Sequence, residues 1–264
     1  MIVRQCRPFE IGYNAITELN GLNSEAQMDF GIVKLIDGYE YVSMSADKER
    51  AFILIEGEAR LEWQGRVEQI KRKSFLDENP FCLHVPKGIE VKITGINDAE
   101  LAVQAVYNNN SFEPVFYSQE DCQSDNFGEG VLNNTSLRVV RTVFDDDNAP
   151  YSNMVLGEVI NYPGRWSSYP PHHHKQPEVY HYRFFPSQGF GISEHGEDIS
   201  KVYNNDTAVI PGGYTHMQVS APGYAMYYIW GIPHIKEKRW QKDRHYLQRD
   251  EWMLEPGVKI WPEK

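Results

Sequence analysis

"SSYPPHHHKQPEVYHYRF", residues 167–184, decides how this chain is read. Its second half is crowded with Val, Tyr and Phe, the composition of a buried strand. In extended backbone His172 and His174, two positions apart, share one face and His173 takes the other. Glu178 completes the spacing H-x-H-x3-E. Imidazoles and a carboxylate on one inner face are what a divalent transition metal requires.

The same strand-like texture extends along the chain. FGIVKLI (30–36), AFILIEG (51–57), ARLEW (59–63), EVKITGI (90–96), LAVQAVY (101–107), MVLGEVI (154–160), TAVIPGG (207–213) and YAMYYIWG (224–231) are short apolar or alternating runs. Gly, Pro, Asn and Asp separate them, and helical periodicity is scarce, so the expected class is all-β. Trp240 to Trp252 mixes aromatics with alternating charge and reads as a short C-terminal helical or irregular segment without chemistry. Residues 108–134 are polar and show no sustained β pattern. The expected organisation is therefore a first unit at 1–115, a linker at 116–135 and a second unit at 136–264. LHVPKGIEVKI (83–93) and AVIPGGYTHMQV (208–219) form a weak internal repeat, which points to two β-barrels in tandem.

The second repeat supplies a fourth candidate ligand. Pro211, Gly213 and His216 fit P-x-G-x2-H, a strand, a tight turn and a histidine opening the next strand. His172, His174, Glu178 and His216 are then the candidate ligands of a divalent cation, zinc before manganese, iron or nickel. Strand parity places Tyr180 and Tyr182 on the face of Glu178 and Gln218 on that of His216; with Tyr228 they are candidates to hydrogen-bond a polar ligand. His181, His195, His234 and His245 lack motif support and read as structural or surface residues. Asp145-Asp146-Asp147 reads as a solvated turn.

Composition narrows the partners. The 264 residues, 41% hydrophobic and 13% aromatic, suffice for a large buried core. Lys and Arg number 26 against 37 Asp and Glu, a formal charge of −11 with no basic cluster, which argues against nucleic acid and anionic membrane surfaces. The N-terminal residues lack a continuous apolar core, and no later run is long enough to span a bilayer, so a cytoplasmic location is expected. Cys6, Cys82 and Cys122, odd in number and far apart, fit reduced thiols. Exposed barrel edges allow a homo-oligomer.

The two histidine motifs resemble the paired signatures of the cupin superfamily. GRWSSYPPHHH (164–174) is more specific and resembles the segment that marks the 5-deoxy-glucuronate isomerases of inositol catabolism, relatives of the 5-keto-4-deoxyuronate isomerases of pectin breakdown. LGEVIN, PEVYHYRF, GFGISE (189–194), VIPGGY (209–214), APGYAMYYIW (221–230) and, in the first half, ERAFILIEGEARLEW (49–63) extend the likeness over nearly the whole chain. The resemblance implies two tandem cupin (jelly-roll) barrels, the first without metal ligands, and a metal at His172, His174, Glu178 and His216. It also implies an intramolecular oxidoreductase, an aldose–ketose isomerase, whose partner is a small sugar acid. Glu178 is a candidate base, and Arg165 and Lys175 are candidates to meet the substrate's carboxylate. Only Lys175, Gln176 and Pro177 separate the second histidine from Glu178, fewer than the family usually has. Another keto-uronate, or a non-catalytic sugar-acid-binding cupin, are the alternatives.

Overall fold

The computed structural model describes residues 1–236 and 238–263. The first half carries β1 (Ile2–Val3), β2 (Gly12–Thr17), β3 (Asp29–Leu35), β4 (Glu40–Ser43) and β5 (Lys48–Trp63). It continues with β6 (Arg66–Arg72), β7 (Cys82–Val85), β8 (Val91–Gly95), β9 (Ala99–Tyr107) and β10 (Val115–Tyr117). The second half carries β11 (Gln123–Phe127), β12 (Arg138–Phe144), β13 (Met154–Asn161), β14 (Trp166–His173), β15 (Glu178–Phe185) and β16 (Phe190–His195). It ends with β17 (Asp198–Tyr203), β18 (Thr207–Ile210), β19 (His216–Ser220), β20 (Ala225–Pro233) and β21 (His245–Tyr246), then a 3-10 turn at Gln248–Leu254. The all-β expectation and the short, partly helical C-terminal segment are both met.

Two curled arrangements result. In the first, the order β10-β7-β5-β9-β3-β2 forms one face, and the long β5 bends to pair β6 and β8 on the other. The bend falls at Gly57, whose φ is +98°; a Cβ there would lie 2.1 Å from the carbonyl oxygen of Asp98. Its interior is apolar, with Phe52, Leu61, Leu83 and Leu101 among the buried residues. In the second, a seven-stranded sheet, β1-β18-β15-β20-β13-β12-β11, faces a five-stranded one, β17-β16-β19-β14-β21. Between them lie Tyr180, Tyr182, Phe184, Tyr228 and Trp230.

The two large sheets pack back to back. Phe30, Ile32 and Ile53 from the first half join Phe144, Leu156, Val179 and Ile229 from the second in one core. β15 therefore has two buried faces, Tyr180 and Tyr182 inside the barrel and Val179 and His181 toward the other half, which explains its near-continuous apolar reading. The same interface holds a buried ion pair: Arg72 grips Glu158 with two bonds of 2.7 and 2.8 Å, both side chains fully out of solvent.

Two segments differ from the sequence reading. Residues 116–135, expected to be a linker, contain β11, which pairs with β12 from Gln123↔Thr142 to Phe127↔Arg138. Its sequence, QSDNF, has no apolar alternation, so the ladder to a neighbouring strand decides its conformation rather than its own propensity. The C-terminal segment, expected over Trp240 to Trp252 as helical or irregular, crosses back over the second barrel at residues 239–246 and pairs there with β14 through β21. Arg239 and Gln241 bond Asp146, and Lys242 bridges Asp145 and Asp147. The acidic turn is thus a fastener for this segment, with Asp145 buried.

Candidate metal centre

Three of the four candidate ligands converge. One donor atom each from His174, Glu178 and His216 lies within 4.8 Å of the others, and all three residues are buried. Glu178 Oε2 sits 3.2 Å from His174 Nε2 and 3.3 Å from His216 Nε2. His172 stands outside that group, although its ring lies 4.7 Å from that of His216, centroid to centroid. β14 and β19 place these two directly opposite, after an irregular stretch between Ser167 and His172 that re-aims the strand. His173 faces away and stacks on His245, as strand parity requires.

The tautomers of these imidazoles follow from their partners. The Nδ1–H of His172 donates to the carbonyl of Pro170 (3.3 Å), that of His174 to Gln176 (2.9 Å) and that of His216 to Tyr214 (3.1 Å). A carbonyl only accepts, so each Nδ1 carries a proton, and a neutral ring then presents the lone pair of Nε2. Burial drives the His172 pKa well below its ordinary value and lowers that of His216 to about 4, so both rings are neutral near pH 7. The Nε2 of His216 then faces the carboxylate of Glu178 acceptor to acceptor and is buried without a hydrogen bond, beside the His174 Nε2 that contacts the same oxygen. Lone pairs brought together this way fit a cation among them, and N and O donors of this kind suit a divalent transition metal.

The cluster opens into a cavity of about 250 Å³ in the second barrel. Tyr180 lines it; its hydroxyl donates to Glu178 Oε2 and bonds Ser168 Oγ, both at 3.1 Å. Burial and the charge of Glu178 push the Tyr180 pKa far up, so it stays protonated. Tyr228 also lines the cavity and bonds the hydroxyl of Ser167. Tyr182 and Gln218, though on the interior face, lie outside the lining: Tyr182 donates to Gln218 Oε1 at 2.6 Å, and Ser193 joins them. Neither Arg165 nor Lys175 lines the cavity; Arg165 sits in the turn that follows β13, and Lys175 is exposed.

The cations of the cavity come from elsewhere. Arg138 enters from β12, and Lys242 and Arg244 from the C-terminal segment, where Trp240 also packs against Trp230 and the ring of His174. Period-two reading of RVVRTVF would have placed Arg138, Val140 and Thr142 on one face, and all three line the cavity. Nothing local to residues 239–246 signals that they return to the barrel.

Comparison with known proteins gives one consistent answer. The model of the KduI/IolB family matches residues 2–250. A 5-deoxy-glucuronate isomerase of Bacillus licheniformis is 24% identical over 270 residues, covering 95% of this chain and 97% of that protein. Among solved structures, an IolB-like protein from Salmonella typhimurium LT2 superposes with a TM-score of 0.85 at 22% identity, covering 96% of this chain and 99% of that one. A cupin 2 conserved barrel domain protein from Leptotrichia buccalis gives a TM-score of 0.50 at 12% identity over 88% of this chain and 96% of that one. The fold is that of the cupin barrel proteins.

Proposed function

We propose a reaction from a plain premise: the chain belongs to the KduI/IolB family. It is an isomerase, an intramolecular oxidoreductase. Its substrate in this reading is 5-deoxy-glucuronate, an aldehydic sugar acid converted to the ketose acid 5-dehydro-2-deoxy-gluconate, in inositol catabolism in the cytoplasm. The observation that carries the reading is the buried His174–Glu178–His216 cluster at the head of a cavity that Tyr180 also lines.

The reaction moves hydrogen within one molecule: in the aldose's numbering C2 loses a proton and C1 gains one, the C2 hydroxyl gives up its proton and the C1 oxygen takes one, so the carbonyl passes from C1 to C2 with no external oxidant. A divalent cation, zinc before manganese, iron or nickel, would be held by His174, Glu178 and His216 with His172 beside them. When bound, it supplies Lewis acidity that lowers the cost of negative charge on the two reacting oxygens. Glu178 is assigned as the base that carries the proton from C2 to C1. Tyr180, kept protonated by its surroundings, donates a hydrogen bond where the oxygen charge develops. Tyr228 holds a substrate hydroxyl. Tyr182 and Gln218 position the wall behind His216 rather than meeting the substrate.

Residues 1–115 act as scaffold in this reading. Val91, which stands where His216 stands in the repeat, is buried among apolar neighbours. The three-residue spacer Lys175–Pro177 favours a second reading, isomerisation of another keto-uronate at the same site. Proton NMR of the purified protein with 5-deoxy-glucuronate tests the first: the aldehyde and hydrate signals should give way to a hydroxymethyl pair. An unchanged spectrum would overturn it. Turnover of a different keto-uronate would then support the second reading, and binding without turnover a sugar-acid sensor.

A further inference from the structure

Beside the donor cluster and its tyrosines, the cavity is also lined by cations. Arg138 opens β12, and its Nη1 donates to the carbonyl of Ser136 at 2.8 Å while the guanidinium lies 5.7 Å over the ring of Phe127. Arg244 lines the same cavity from the C-terminal segment. Among the described residues neither guanidinium has a carboxylate within ion-pair distance. Lys242 differs, because Asp145 and Asp147 neutralise it at 3.0 and 2.6 Å. Asp125 also faces the cavity but is bonded by Gln123 at 2.7 Å and pairs with neither arginine.

Burial lowers the Arg138 pKa, and the charge of Arg244 adds to the effect. Arg138 is half-buried and Arg244 exposed, so two like charges line one cavity with solvent only partly screening their repulsion. An anion between them removes that repulsion and gives each fork its matching acceptor. We propose that Arg138 and Arg244 clamp the carboxylate of the sugar acid, one from the barrel wall and one from the segment laid across it. The proposal rests on reading the cavity as a sugar-acid site. Acid recognition then depends on residues outside the barrel: the bound carboxylate ties the segment 239–246 to β12.

Isothermal titration of the full-length protein with d-glucuronate and with d-glucose, which differs in lacking the carboxylate, tests the clamp. The wild type should bind glucuronate at least about ten-fold more tightly than glucose, and Arg138→Gln and Arg244→Gln should each weaken glucuronate about ten- to hundred-fold and leave glucose unchanged. Arg138→Lys, which keeps the charge, guards against misfolding and should retain part of the preference. Equal affinity of the wild type for the two sugars, or equal losses for both in the variants, would overturn the clamp. The same preparations are assayed with 5-deoxy-glucuronate. Arginine-dependent binding without turnover overturns the isomerase reading and leaves the clamp standing. Turnover together with arginine-independent affinity overturns the clamp alone.

Discussion

The carbonyl oxygen of Lys175 lies 2.1 Å from where a Cβ on residue 212 would stand, so only glycine lets the two histidine-bearing loops meet. The amide of Gly213 then donates to the carbonyl of His174 at 2.7 Å. Gly212→Ala should push these loops apart. The expected outcome is a loss of about 1–3 kcal/mol in urea unfolding together with reduced metal content. A variant unchanged in both would show that the loops are held by other contacts.

The proposed divalent cation among His174, Glu178 and His216 should be present at about one per chain in the purified protein. Elemental analysis by mass spectrometry should find it, and His174→Ala should lose most of it. The apo protein prepared with a chelator should also unfold at a lower temperature, since a ligand that binds only the folded state stabilises that state. Retention of the cation in His174→Ala would remove His174 from the ligand set.

Arg72 and Glu158 join the two halves through a fully buried pair, and Arg141 and Tyr227 also reach the carboxylate. Arg72→Met should cost about 3 kcal/mol, because it leaves the buried carboxylate with only Arg141, at 3.4 Å, for a charge partner. The double variant Arg72→Met, Glu158→Leu removes this pair but takes the carboxylate from buried Arg141 and Tyr227, so it should recover only part of that loss in chemical denaturation. If the single variant were as stable as the wild type, the pair would contribute nothing net to the interface.

His234 gives a pH dependence of known sign. Burial, with the charge of Arg239, lowers its pKa to about 4, and its Nδ1 accepts the amide of Trp240 at 2.9 Å. Unfolded, the ring titrates near about 6.5. The folded form therefore binds fewer protons between those values: its contribution is complete above pH 6.5 and is lost as pH falls through about 4. The side chain is partly exposed, so after solvent screening the effect is about 1–2 kcal/mol. Hydrogen exchange of residues 239–246 should quicken across that range in the wild type. His234→Gln, which cannot be charged, should abolish the step.

The strands were legible wherever their own residues decide them. Glu178, Tyr180 and Tyr182 fall on the interior face of β15 as alternation requires, and His172 and His216 meet because two motifs at fixed spacing end adjacent strands. What escaped was settled at long range. β11 has no apolar alternation and owes its conformation to β12, and Arg244 reaches the cavity because Asp145–Asp147 hold its segment from far along the chain. The carboxylate partners expected beside the histidines, Arg165 and Lys175, were chosen by nearness in sequence, whereas the cavity takes its cations from β12 and the C-terminal segment.

β1 has one further consequence. Ile2 and Val3 pair with Ala208 and Thr207, at the edge of the sheet whose next strand bears Glu178. During synthesis Ile2 and Val3 wait unpaired until Thr207 and Ala208 have been made, so the sheet of the second barrel takes a strand from far back in the chain. A contact spanning that much chain slows folding through the entropy of the loop it closes. The edge of the sheet that bears Glu178 is thereby finished only when β18 meets β1.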